Sequence, residues 1–169
     1  MTTTPIETPD QEEVLSTLEN LIEITRDGQE GFAQAAEHAS SSDLKALFTG
    51  YSSERARMVS ELQVLERQHG KTEVDHTGSL TGGLHRAWIN LRAAVATRED
   101  QAILEEAERG EDAAVKAYEE ALSPNHSVLP VSVSFVLERH LSSVQAAHDE
   151  VRNRRDSGKY NTPLPPTEE

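Results

Sequence analysis

From about Asp10 to Arg155 the apolar residues of this chain recur at about 100° per residue, the spacing that gathers them on one face of a helix. That rhythm falls into four long runs. The first, about Asp10 to Ala39, puts Val14, Leu18, Leu21, Thr25, Phe32 and Ala36 on one stripe. Serines 40–42 and Asp43 then offer N-cap chemistry, because a short oxygen-bearing side chain can accept an orphan N–H of the first turn. The second run reaches about His69, buries Leu44, Leu47, Tyr51, Met58, Leu62 and Leu65, and is stopped by Gly70. The third spans about Asp100 to Leu122 and ends at Ser123-Pro124-Asn125. The fourth spans about Val128 to Arg155, with Val136, Leu137, Leu141, Val144 and Val151 inward. Pro130 is tolerable only in its first turn, where the missing N–H has no partner to lose.

Short turns after the first and third runs predict two antiparallel hairpins. The link from Gly70 to Asp100 contains a short amphipathic segment, LHRAWINLRAAV, with Leu84, Trp88, Leu91 and Val95 on one face. Such a link either crosses the length of a bundle or prolongs the third helix with a kink near Thr97; the crossover is expected. An internal echo favours it. DGQEGFAQAAEHA (27–39) aligns without gaps on RGEDAAVKAYEEA (109–121), matching Gly28, Ala35, Glu37 and Ala39 with Gly110, Ala117, Glu119 and Ala121. Duplication of a helical hairpin would leave such a trace.

The fold class is therefore all-α, a four-helix bundle over residues 10–156 with a crossover that holds a short extra helix. Residues 1–9 and 157–169 are polar and proline-bearing and are expected to be loose tails. At 169 residues the chain suffices for one domain. Aromatics are only 4% of it, so the core must come from Leu, Val and Ala. A net charge of −14 argues against nucleic-acid binding, which needs clustered Lys and Arg. Without cysteine there is no disulfide, thiolate metal site or thiol catalysis. No signal-like N-terminus and no apolar run of about 20 residues is present, so a cytoplasmic protein without membrane spans is expected.

DGQEGF, GSLTGGLHRAWINL, and AILEEAERGEDAAVKAYEEAL followed by VQAAHDEVR resemble an uncharacterised family of bacterial four-helix-bundle proteins. The resemblance covers about residues 12–155. It implies a ferritin-like bundle with a rubrerythrin-like helix pattern, catalogued as a domain of unknown function. Proteins of the wider group hold two metal ions with one glutamate from each of two helices and a Glu-x-x-His pair from each of the other two. Transferred residue by residue, that ligand set is damaged. Glu111 is kept on the third helix, seven residues before Tyr118 and between Ala107 and Ala114 of the inner stripe. Its counterpart on the first helix is Gln29. Glu54 on the second is followed by Arg57 three residues on, with Arg55 and Met58 in the neighbouring register. Gln145-Ala-Ala-His148 keeps the histidine and loses the acid.

Glu54, Glu111 and His148 are thus the candidate ligands of one iron or manganese ion. An inward carboxylate must otherwise be paired, and Glu111 with His148 or with Arg55 is the alternative. His140 also falls inward, as a core histidine or a further ligand. Glu66-x-x-His69 has ligand spacing but lies in a last helical turn, where histidine meets the helix dipole. Acidic runs such as EEAERGED read as a solvated face. Ser79 and serines 40–42 have no organised base beside them. Trp88 is expected to anchor the crossover helix, which carries His85 and Asn90, or to give that helix a surface for a protein partner. The leading functional expectation is a non-enzymatic, stress-associated homodimer with no cofactor. The rival is an oxygen- or peroxide-reducing or metal-handling protein with Tyr51 or Tyr118 near its metal.

Overall fold

The computed structural model describes residues 8–72, 88, 90–126 and 128–161. Among them are five helices and no strand: α1 (Gln11–His38), α2 (Ser42–Gln68), α3 (Leu91–Thr97), α4 (Asp100–Leu122) and α5 (Val131–Asp156). The long helices stand where the periodicity placed them, α4 at both ends. α1 starts where the Asp10 carboxylate accepts the backbone N–H groups of Glu12 and Glu13, at 2.9 and 3.4 Å.

The start of α2 differs from expectation. Ser41 is its N-cap residue, but its side chain makes no capping bond. The N–H groups of Ser40 and Ser41 instead donate to the Asp100 carboxylate at 2.7 and 3.0 Å, tying the α1–α2 turn to the beginning of α4. Pro130 precedes α5 as its N-cap residue and lies outside the first turn.

Contacts between helices give their order and direction. Gln11 Nε2 donates to the His69 carbonyl and Ser52 Oγ to the Gln29 carbonyl, so α1 and α2 are antiparallel. Thr25 meets Tyr118 while Ser40 meets Asp100, which makes α4 antiparallel to α1. Glu61 pairs with Arg139 and Asp43 with Arg154, which makes α5 antiparallel to α2. α2 therefore ends beside the start of α1, and α4 begins beside its other end, roughly 40 Å away at 1.5 Å per residue. The connection from α2 to α4 joins opposite ends of the bundle, as a crossover must. α3 lies within it and is not an extension of α4, because Arg98 at φ 56° breaks the helix after Thr97.

Two apolar clusters fill the bundle. One joins Leu18, Leu21, Leu62, Tyr118, Leu137 and Val144; the other joins Phe32, Leu44, Phe48, Trp88, Ile103 and Val151. Between them, at the level of Gly28, Arg55, Glu111 and His148, the interior turns polar. The expected stripes hold, with Ala36, Leu47, Tyr51, Val136 and Leu141 packed at the cluster margins. Phe48 and Ala35 are core residues the stripes omitted.

Residues 157–161, expected to be loose, turn back onto the bundle. Tyr160 is buried there, and its hydroxyl donates to Asp43, which also pairs with Arg154 and Lys159. An aromatic ring that covers apolar surface and keeps its hydroxyl on a carboxylate outweighs the local polarity of Ser157-Gly158-Lys159. No helix among the described residues is long and apolar enough to cross a membrane.

Candidate functional site

Glu111 follows Gly110 on α4 among the small residues Ala107 and Ala114, and this brings its carboxylate fully inside, at 0% exposure. Arg55 of α2, at 1%, meets it there. Arg55 Nη2 donates to Glu111 Oε2 at 2.6 Å, and Nη1 to Glu54 Oε1 at 2.8 Å and to Met58 Sδ at 3.5 Å. Gly28 faces the arginine stem, and the guanidinium lies 5.7 Å over the Phe32 ring. Glu111 Oε1 and Arg55 Nε are buried without a hydrogen-bond partner among the described residues. Burial pushes the Glu111 carboxyl above its usual range although the guanidinium pulls it down. Burial also works against the Arg55 charge, but Glu111 and Glu54 hold that group more firmly protonated than usual.

Glu54 and Glu111 thus converge, and what joins them is Arg55. His148 is on the same level but is turned towards other acids. Its Nε2 lies 2.6 Å from Asp112 Oδ1 and 3.8 Å from Glu108 Oε1, and its Nδ1 lies 3.1 Å from Asp149 Oδ1. Glu108 and Asp112 stand outside the expected ligand set. Their i, i+4 spacing was the available signal, inside an acidic run read as solvated; Glu108 is in fact 8% exposed, and its Oε2 pairs with Arg155.

His140 is buried with satisfied partners. Its Nδ1 is 3.3 Å from the Tyr118 hydroxyl, which is 2.9 Å from Thr25 Oγ1, and its Nε2 is 3.1 Å from Glu61, which Arg139 holds. Burial raises Tyr118 well above a normal phenol, and Tyr51, packed on Phe32, is pushed up to about 12, mainly by burial. Burial depresses His140 below its ordinary 6.5, against the pull of Glu61. The unfolded chain therefore takes up this proton first, and stability falls as pH drops from about 6.5 towards the depressed value. Glu61, lowered chiefly by Arg139, gives stability that is lost only further down, as pH falls below about 4.5. Thermal melts of His140→Gln should depend less on pH than wild type between about 7 and 5. An unchanged slope would remove His140 as the titrating group.

Trp88 is buried between two helices. A Cβ added at Gly31 would lie 2.6 Å from its Cζ3, and one at Gly110 would lie 2.6 Å from its Nε1. The ring also meets Phe32 edge-on at 5.2 Å. It is an anchor, packed against Gly31, Gly110 and Phe32. The gapless echo set Gly28 against Gly110, but across the indole it is Gly31 that opposes Gly110. Glu66 is buried beside Lys71, and His69 is the C-cap of α2. Ser79, Leu84 and His85 lie outside the described residues.

The model of a family described as a domain of unknown function, DUF2383, matches residues 13–124, and the chain belongs to that family. The match takes in Arg55, Trp88 and Glu111 and stops short of His148. No curated protein matches the chain.

Proposed function

We propose that this DUF2383 member is a non-enzymatic bundle of ferritin-like layout whose centre is closed to metal by an arginine. Two antiparallel hairpins, the crossover and a polar layer at mid-height support the layout. One observation carries the rest: the Arg55 guanidinium, 1% exposed, lies between the carboxylates of Glu54 and Glu111. The donor set does not fit one iron or manganese ion, and still less a pair. Two carboxylates supply two negative charges, and one of these is already balanced by a group that stays protonated at any ordinary pH. A divalent ion placed there would have to expel Arg55 or sit beside its charge in a poorly screening interior.

The test is expression in medium rich in iron and manganese, followed by elemental analysis and oxygen-uptake measurements with added Fe(II). Oxygen uptake should match buffer alone and stay unchanged in Glu111→Gln. Stoichiometric iron or manganese that is lost in Glu111→Gln yet retained in Asp112→Asn would overturn the reading.

A further inference from the structure

We propose that Glu108, Asp112 and His148 form a site for one divalent transition-metal ion of the zinc class, at the outer rim of the polar layer. One ligand atom from each lies within 4.8 Å of the others. Glu108 and Asp112 share a face of α4 at i and i+4, and His148 reaches them from α5. Ligands of a tetrahedral zinc ion stand about 3.3–3.6 Å apart for bonds of about 2.0–2.2 Å. The Nε2–Asp112 separation of 2.6 Å must open slightly and the Nε2–Glu108 separation of 3.8 Å must close slightly.

Three further features point to a ligand and away from an ordinary ion pair. His148 Nε2 is buried, and despite its closeness to Asp112 it has no partner in hydrogen-bond geometry among the described residues. The Asp149 carboxylate, 3.1 Å from Nδ1, can accept a hydrogen bond from Nδ1–H, the tautomer that leaves the Nε2 lone pair facing the two acids. Arg155 engages Glu108 Oε2, which orients the carboxylate and leaves Oε1 for the ion.

The donor set selects the class of ion. One imidazole nitrogen and two carboxylate oxygens suit zinc and its first-row neighbours, with Arg155 offsetting part of the Glu108 charge. Calcium needs six to eight oxygens, which the site does not supply. Three protein ligands leave the fourth position open to water or to an added anion.

Titration of the metal-stripped full-length chain with zinc chloride, followed by calorimetry, tests the site. One equivalent should bind, and Asp112→Asn and His148→Gln should each weaken binding at least tenfold, whereas Glu54→Gln and His69→Gln should not. Asp112 is 65% exposed, so its variant can be expected to keep the fold, which circular dichroism verifies. Cobalt should give visible absorption that His148→Gln abolishes. Absence of saturable binding at one equivalent, or equal affinity in Asp112→Asn, His148→Gln and wild type, would overturn the proposal. Because Glu54→Gln touches only the bundle centre, failure here leaves the reading of that centre untouched.

Discussion

Arg55→Met is expected to lower the unfolding free energy by about 3–5 kcal/mol, because it strands the Glu111 carboxylate in an interior that solvates it poorly. For a chain of this size that corresponds to a fall on the order of 6–20 °C in Tm. Glu111→Leu alone should be costly for the mirror-image reason. Glu54 can keep only part of the Arg55 charge company, and its carboxylate is itself 32% exposed. Arg55→Met combined with Glu111→Leu should return to within about 1 kcal/mol of wild type or exceed it, since apolar packing often replaces a buried pair without loss. Chemical denaturation of the four proteins closes the double-mutant cycle. If the two single changes simply add, the mid-bundle charges are not coupled and the arginine is not the counter-ion of Glu111.

Gly110→Ala and Gly31→Ala should each destabilise by about 1–3 kcal/mol, although alanine is favoured over glycine in a helix by roughly 1 kcal/mol. The methyl group would enter the Trp88 ring in either case, and the two glycines meet different atoms of the same indole, so the ring has little room to yield. Gly50, also helical, is the control. A Cβ there meets nothing within 4 Å, so Gly50→Ala should stabilise by roughly 1 kcal/mol. Trp88→Ala should itself cost about 3–5 kcal/mol through the cavity it leaves. In that background the sign at Gly31 and Gly110 should reverse, and both alanines should become favourable. A destabilising Gly110→Ala in the Trp88→Ala background would mean that the indole is not what requires glycine.

Arg55 and His148 were unequally visible in the residue order. Arg55 was in view as one of two partners for Glu111, because a carboxylate among alanines has to be paired with something. Which partner it takes depends on a rotation of α2 by a fraction of a turn. His148 was read as a partner of Glu111, but its ring turns outward to Glu108 and Asp112, a choice made by side-chain torsions. Tyr160 was lost in a polar tail because a single docking ring leaves no periodicity.

Helix number, helix lengths and the apolar stripes follow from the residue order alone, since 3.6-residue geometry turns spacing directly into a face. The glycines at 31 and 110 were equally plain in the chain, yet nothing local says that one indole lies between them. That contact, the crossover between opposite ends, and the pairing of Arg55 with Glu111 were decided only when distant helices packed. A side chain's partner depends on the relative rotation and height of two helices, and neither quantity is encoded in either helix by itself.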